Sequence, residues 1–196
     1  MPMPRIESLS VQNLTGSMLA TLSQIPGDAL KSKGFPSNVL GTLLHNPETL
    51  DPFLSYWVSS KHTLSLSIRE QELVILRMGK LYASEYVWKH HVLVGREFGI
   101  SDAELDALRL PTGAYVGMSH PSLCGAEIAL LVLTDELVDK RTITDAGWER
   151  YGAGLGPKTI IDLIALVSQY TLFALVNNSA AVIVEDSVSD LPSVHG

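Results

Sequence analysis

Hydrophobic residues recur every three to four positions along most of the chain, which is the spacing of helices that bury one face. No segment alternates apolar and polar residues as a half-buried strand does. We therefore expect an all-α fold. The pattern predicts a short helix near 16–24 and further helices over 49–62, 68–81, 85–98, 102–108, 123–138, after Thr144, and over 157–182.

Several helix ends are marked by capping residues. Ser67 and Glu70 have the spacing of a capping box, in which the hydroxyl and the carboxylate each accept a hydrogen bond from the other residue's backbone amide. Ser101 and Glu104 repeat this spacing. Pro157 suits the first turn of the last long helix, because proline lacks the amide hydrogen that would go unused there.

The chain has 196 residues, a length that fits one domain. Residues 1–36 are rich in glycine and proline, and we expect them to form an N-terminal arm that packs on the body. The helical domain is predicted over 37–185. Residues 186–196 are predicted to be a loose tail.

Composition and charge exclude several classes of protein. The net charge of −7 argues against nucleic-acid binding, which needs clustered Lys and Arg. The single cysteine, Cys124, rules out an internal disulfide and a CxxC pair, which favours a reducing, cytoplasmic setting. The N-terminus lacks the apolar run of a signal peptide. The apolar segment 160–176 includes Asp162 and Gln169, so we interpret it as a buried helix and predict no membrane span.

The segment 82–91 has the most unusual local composition, with two tyrosines, a tryptophan, two histidines and a carboxylate. On a helix, His90 and His91 point ~100° apart and do not converge on one metal ion. The HExxH spacing of helical metal sites is absent. We therefore predict no metal site.

Glu72 and His91 are candidates for proton transfer. If their helices form an antiparallel hairpin that turns near Ser84, Glu72 lies about 16 Å before the turn and His91 about 10 Å after it, a gap that a side chain can close. A carboxylate beside an imidazole fixes the tautomer of a ring that titrates near neutral pH. The alternative is that Glu72 is solvated and that His91 is a hydrogen-bonded core residue.

Two further residues are candidates for substrate binding. Arg77 shares a helix with Glu72 and offers a cation for a substrate carboxylate, although an ion-paired arginine is the alternative interpretation. Tyr115 lies in the loop 110–121, and loops often carry binding groups.

Four segments, in this order and spacing, resemble the carboxymuconolactone decarboxylase family, which includes the alkylhydroperoxidase D proteins. The resemblance covers roughly residues 37–185. The segments are 43–50 (LLHNPETL), 66–77 (LSIREQELVILR), 85–91 (EYVWKHH) and 99–105 (GISDAEL). The segments 135–137 (DEL), 143–148 (ITDAGW) and 163–167 (LIALV) also resemble the later helices of the longer members.

The peroxidase branch of that family carries Glu-x11-Cys-x2-Cys-x3-His. Counted from Glu72, the two cysteine positions fall on Ser84 and Val87, and the histidine position falls on His91. Thiol-based peroxide reduction needs a nucleophilic and a resolving thiol. The chain therefore resembles the branch that lacks the CxxC pair, and we reject peroxidase activity.

The resemblance implies an antiparallel helical bundle of the alkylhydroperoxidase D type that assembles as a homo-oligomer, whether dimer, trimer or hexamer. It also implies cofactor-free and metal-free proton chemistry on a small organic acid or lactone. In this chemistry His91 is the general acid or base, Glu72 orients it, and Tyr86 donates a hydrogen bond to an oxyanion or enolate. Trp88 shapes the pocket wall, and Ser84 is a further substrate-binding candidate.

Many members of this branch have Glu where this chain has Val87, so the reaction stays open. A decarboxylase-like lyase of aromatic degradation or secondary metabolism is the most concrete expectation. Dehydration, isomerisation and cyclisation begin with the same proton transfer. The alternative from a different class is a non-catalytic small-molecule-binding or scaffolding homologue.

Overall fold

The computed structural model describes residues 3–23, 25 and 37–196. Within these residues the chain forms helices and no β-strand, apart from one isolated bridge, so the all-α prediction is confirmed. Residues 26–36 of the predicted N-terminal arm lie outside the described residues. The α-helices are α1 Gly16–Leu22, α2 Asn38–Leu43, α3 Pro47–Thr63, α4 Ile68–Leu81, α5 Glu85–Glu97, α6 Asp102–Leu108, α7 Gly125–Asp139, α8 Asp145–Gly147, which continues into a π-helical turn Trp148–Gly152, and α9 Gly156–Ala180.

The two predicted capping boxes are present. Glu70 accepts a hydrogen bond from the Ser67 amide at 2.7 Å, and the Ser67 hydroxyl accepts one from the Glu70 amide at 3.3 Å. Ser101 and Glu104 make the same pair of bonds before α6. These caps accept hydrogen bonds from amides that the first turn of a helix leaves unpaired. Because the cap depends on two residues three positions apart, the beginnings of α4 and α6 could be predicted from the sequence. Helix α2 was not predicted.

Helices α4 and α5 form an antiparallel hairpin. The chain turns over residues 82–84, where Ala83 adopts a left-handed conformation with φ 49°. Glycine at position 79 lets the helices approach, because a Cβ atom there would lie 3.2 Å from the backbone nitrogen of Trp88, which is tighter than most contacts of a Cβ atom. The two helix backbones therefore approach closely, which sets the register of one helix against the other.

Helix α4 is the central helix of the fold and packs against α5, α7 and α9. Its residues from Gln71 to Gly79 are all buried. Val74 and Met78 join a hydrophobic cluster with residues of α2, α3 and α9, whereas Leu73 and Leu76 join a second cluster with residues of α5, α6 and α7. Any polar side chain on this part of α4 therefore needs a partner inside the protein.

Arg77 on α4 is fully buried and forms a two-bond ion pair with Asp135 on α7. Its Nε and Nη2 atoms donate to the two carboxylate oxygens at 2.6 and 2.9 Å. Its Nη1 atom donates to the carbonyls of Leu108 and Leu110, and Asp135 also accepts from the Gly113 amide. This network fastens α4, α7 and the loop after α6 to one another.

The prediction of a loose C-terminal tail is wrong. Val194 is fully buried in the second cluster, and Val188 is also buried. The Trp88 indole donates to the Pro192 carbonyl at 3.0 Å, and the Val194 amide donates to Glu85 at 3.0 Å. The prediction was based on the mostly polar composition of the segment, which does not indicate that a few apolar residues in it are buried.

Helix α9 was predicted to be buried, but the structure buries only one of its faces. Leu163 and Gln169 face the core, whereas Ile161, Ile164 and Leu175 are exposed. Helix α9 is long and apolar enough to cross a membrane by length and composition, and in this structure it contacts α2, α4, α5 and α7. The homo-oligomer implied by the resemblance stays a prediction.

We expect the Arg77→Met substitution to lower the free energy of unfolding by about 3–5 kcal/mol, because it leaves the Asp135 carboxylate buried without its cation. Urea denaturation followed by circular dichroism measures this change. The matched control is Arg96→Met, which removes a cation from an exposed pair with Asp102 and should leave the midpoint almost unchanged. Equal midpoints for the two variants would contradict the structural role of Arg77.

We expect Val194→Ala to destabilise the protein by about 1.5–2.5 kcal/mol, because it removes two buried methyl groups and leaves a cavity. Thermal unfolding would show the change as a lower midpoint. Val116→Ala, at a loop residue that is 56% exposed, serves as the control. A tail that is loose in solution would make both variants behave like the wild-type protein.

Candidate functional site

The structure brings Glu72 and His91 together across the α4–α5 hairpin. The His91 Nδ1 atom lies 2.6 Å from the Glu72 Oε2 atom. The carboxylate is almost fully buried and the imidazole is mostly buried. Among the described residues the Nε2 atom of His91 has no hydrogen-bond partner, so this nitrogen is available to a ligand.

Two cavities meet at His91. The first, which we call the Glu72 cavity, measures about 230 Å³ and is lined by Lys61, Glu72 and Gln169 among others. The second, the Tyr86 cavity, measures about 170 Å³ and includes Tyr86 and Asn177. His91, Trp57 and Tyr170 line both cavities, and the His91 ring meets the edge of Tyr170 at a centroid distance of 5.1 Å.

Tyr86 lines its cavity, but its hydroxyl group already donates its proton to another side chain. The hydroxyl donates to Glu185 Oε1 at 2.7 Å and accepts from the Val39 amide at 3.3 Å. Burial and the nearby Glu185 charge raise the pKa of Tyr86 far above its ordinary value. In this structure the predicted donation to an oxyanion is therefore replaced by donation to a carboxylate.

His90 belongs to a second imidazole–carboxylate pair that the sequence analysis missed. Its Nε2 atom lies 2.6 Å from Glu185 Oε2, and its ring stacks on Tyr86 with centroids 4.4 Å apart. Burial alone would raise the pKa of the Glu185 carboxyl, but hydrogen bonds from His90, the Asn38 amide and Tyr86 hold it below its usual value. The sequence predicted that the side chains of His90 and His91 point in different directions. It did not predict Glu185 as the partner of His90, because Glu185 lies beyond the end of α9 and no motif around it indicates a contact with α5.

Three of the predicted binding residues lie outside both cavities because the protein itself uses their polar groups. Arg77 is held by Asp135, as described above. Tyr115 is fully buried, donates to the Ala107 carbonyl at 2.8 Å and lies beside the Arg77 guanidinium. Trp88 is fully buried and donates to the tail. The structure therefore does not bring the predicted binding residues Arg77 and Tyr115, or the predicted pocket-wall residue Trp88, to the two cavities that His91 lines.

The two positions that carry cysteine in the peroxidase pattern are also buried. Ser84 is fully buried before α5, lines neither cavity, and has no hydrogen-bond partner for its hydroxyl among the described residues. The structure therefore does not place Ser84 where its predicted substrate-binding role would need it. Val87 forms part of the wall of the Tyr86 cavity.

Among the polar residues of the cavities that were not predicted, three bear on ligand binding. Lys61 at the end of α3 lies over the Trp57 ring, with its Nζ atom 3.9 Å from the ring centroid. Gln169 and Asn177 on α9 are buried. The Gln169 Nε2 atom and both polar atoms of the Asn177 amide have no partner among the described residues. A lysine near the end of a helix is common, so Lys61 gave no signal of a site. Gln169 was noted in the sequence only as a polar residue of a buried helix, and nothing local to Asn177 indicated a cavity.

Within the part of the chain that the structure describes, no group of three or more His, Cys, Asp or Glu residues is placed to hold a metal ion. The two histidines that adjoin one another in sequence each contact a different carboxylate.

Comparisons with known proteins give matches among solved structures. No family model and no curated protein matches the chain. An AhpD-core structure of an uncharacterized peroxidase-related protein from Ralstonia eutropha JMP134 is 16% identical, with a TM-score of 0.75 over 100% of this chain and 98% of that one. An uncharacterized peroxidase-related protein from Silicibacter sp. TM1040 is 16% identical, with a TM-score of 0.74 over 97% and 98% of the two chains.

The debrominase Bmp8 has the same fold. It is 11% identical, with a TM-score of 0.72 over 93% of this chain and 92% of that one. A variant of Bmp8 has also been solved in complex with 2,3,4-tribromopyrrole. At these identities the likeness establishes the fold and leaves the chemistry open. The chain therefore has the helical fold of AhpD-like proteins, as the sequence resemblance implied.

Proposed function

We propose that the protein is an enzyme that transfers a proton on a small carboxylic acid or lactone, with His91 as the acid or base. The observation that carries this proposal is the 2.6 Å contact between His91 Nδ1 and Glu72, which leaves the Nε2 atom without a partner among the described residues on a side chain that lines two cavities. Both cavities are smaller than the ~300–1,000 Å³ of typical ligand sites, which favours a small metabolite.

The Glu72 carboxylate accepts a hydrogen bond and therefore keeps a proton on Nδ1. The lone pair of His91 is then on Nε2, where it can remove a proton from a substrate. The carboxylate also stabilises the imidazolium that forms, and the imidazolium returns the proton in a later step. Glu72 acts through His91, so it is a positioning residue.

Decarboxylation is the most concrete reaction for this arrangement. The Nε2 atom of His91 first takes up a proton, from the substrate's carboxyl group or from solvent, and CO2 then leaves its electron pair on a substrate with a carbonyl in place, as in a β-keto acid or its vinylogous equivalent. The resulting enolate takes that proton at carbon, which returns His91 to its neutral form. Asn177 replaces Tyr86 as our candidate donor to the enolate oxygen, because its amide is buried, unpartnered among the described residues and part of a cavity that His91 also lines. Dehydration, isomerisation and cyclisation use the same groups.

Peroxide reduction is not part of the proposal, although two structural neighbours are described as peroxidase-related. Ser84 and Val87 hold no sulfur, and Cys124 is an exposed residue before α7. The chain therefore offers no pair of thiols for a disulfide cycle.

A non-catalytic binding protein of the same fold is the second candidate. The observation that favours it is the Tyr86 hydroxyl, which donates to Glu185 and is not free to stabilise an oxyanion. A binding protein would use the same cavities and would not need the His91 Nε2 atom.

We expect His91→Gln to reduce turnover by about 10²–10⁴-fold, the usual contribution of a positioned acid or base. Extracts of the producing cells, incubated with wild-type or variant protein, would be compared by untargeted mass spectrometry. We expect a metabolite that loses the mass of CO2 only with the wild-type protein. Loss of water, or an isomer of unchanged mass, would assign a dehydratase or an isomerase instead.

The control for this experiment is His195→Gln, which changes an exposed histidine at the end of the chain. It should turn over the same metabolite as the wild-type protein. Equal helicity and equal thermal midpoints would show that all variants are folded. A metabolite consumed equally by His91→Gln would contradict the catalytic assignment, and no change with any protein would favour the binding alternative.

We expect Glu72→Gln to lower turnover less than His91→Gln does, and to change its pH dependence, because an amide no longer favours the Nδ1–H tautomer or stabilises the imidazolium. Nitrogen-15 spectra of the His91 ring would show the altered tautomer directly. An unchanged ring spectrum and an unchanged pH profile would mean that Glu72 is a structural residue only.

A further inference from the structure

We propose that Lys61 and Gln169 form a carboxylate-binding subsite in the Glu72 cavity, and that the ligand of this cavity is a small organic anion. The inference deepens the proposed function, since it rests on the same cavity and assigns the residues that hold the acid group of the substrate.

Lys61 supplies the charge. It lies near the end of α3 and lines the cavity together with Glu72 and His91. Its ammonium group lies over the face of Trp57, and among the described residues no carboxylate is within ion-pair distance of it. Lys61 is partly exposed to solvent at the cavity. The protein atoms around it still lower the pKa of Lys61 by desolvation, whereas the negative charge of Glu72 acts to raise it. An anionic ligand would provide the counter-charge that this ammonium lacks.

Gln169 supplies a second donor from the opposite helix, α9. Its side chain is only 1% exposed, and its Oε1 atom accepts from the Ser60 hydroxyl at 3.2 Å. The Nε2 atom has no partner among the described residues, although buried amides are normally hydrogen-bonded. An acceptor in the cavity would satisfy this group.

Two other polar side chains of the cavity, Gln71 and Glu72, are engaged within the protein, whereas the exposed His62 and the Nε2 atom of His91 have no hydrogen-bond partner among the described residues. The Gln71 amide donates to the Leu66 carbonyl at 2.8 Å, and Glu72 binds His91. The remaining wall includes Ile75 and Leu166, so the cavity combines two donors with an apolar lining. Such a cavity favours a carboxylate attached to a small apolar body.

This subsite takes the role that the sequence analysis gave to Arg77. The guanidinium of Arg77 is saturated by Asp135 and by backbone carbonyls, whereas the ammonium of Lys61 faces a cavity. An ammonium also binds a single carboxylate as a compact point charge and needs no planar, two-bond geometry.

The competing explanation is that Lys61 only packs on Trp57. In that case the cavity would not distinguish a carboxylate from a neutral molecule of the same shape. Benzoate and benzamide are suitable probes, because both have an apolar ring and a carbonyl acceptor and only benzoate is charged.

The experiment measures the binding of sodium benzoate and of benzamide at constant ionic strength, by changes in the side-chain amide signal of Gln169 and the ring signal of His91 in nitrogen-15 spectra. For the wild-type protein we expect saturable benzoate binding that is tighter than benzamide binding. Lys61→Met should weaken benzoate binding at least about tenfold and leave benzamide binding unchanged, and Lys61→Arg should restore most of the benzoate affinity. Gln169→Leu, followed through the His91 signal, should weaken both probes, since both carbonyls use the amide donor.

The matched control is Lys140→Met, which removes an exposed lysine outside the cavity and should bind both probes as the wild-type protein does. Equal benzoate binding by the wild-type and Lys61→Met proteins would overturn the proposal, as would the absence of saturable benzoate binding. These results concern binding alone. A failed turnover test of His91 would therefore leave the subsite intact, and a failed binding test would leave the proton-transfer proposal intact.

Discussion

The close approach of α4 and α5 is the constraint on which the site depends. Because Gly79 has no side chain, the backbone of Trp88 can lie against it, and the register of the two antiparallel helices is fixed at that point. This register places Glu72 on α4 opposite His91 on α5. The same central helix carries Arg77, whose buried ion pair with α7 holds α4 in place from the other side.

Adjacent histidines on α5 then contact different carboxylates. His91 contacts Glu72 within the hairpin, and His90 contacts Glu185 after the end of α9. The two pairs differ in how the carboxylate is used and in where the imidazole lies. Among the described residues Glu72 hydrogen-bonds only to His91, which lines both cavities, whereas the carboxylate of Glu185 is shared by His90, Tyr86 and a backbone amide and, of the two cavities, His90 lines only the Tyr86 cavity. This difference is why we assign proton transfer to His91 and regard the pair at His90 as a contact that holds the end of α9 against α5.

The features that could be predicted from the sequence are those set by short-range chemistry. The capping boxes before α4 and α6 follow from residues three positions apart. The hairpin of α4 and α5, on which the pairing of Glu72 with His91 was conditional, follows from two helical segments joined by a short break near Ser84. The function of Arg77 could not be predicted, because its partner Asp135 is 58 positions away and an unpaired arginine looks the same in a sequence. Lys61 was missed for the converse reason. Its importance comes from its place in a cavity without an ion-pair partner among the described residues, which only the packing of α3 against α9 reveals.

The central claim is that His91 transfers a proton to or from a carbon atom of a small acid. The most direct measurement is to run the reaction in D2O with the extract that shows turnover, return the product to H2O, and determine its mass. The account predicts a product that keeps one deuterium at carbon and forms with the wild-type protein and not with His91→Gln. A product without deuterium, or one labelled equally in the presence of the variant, would contradict it.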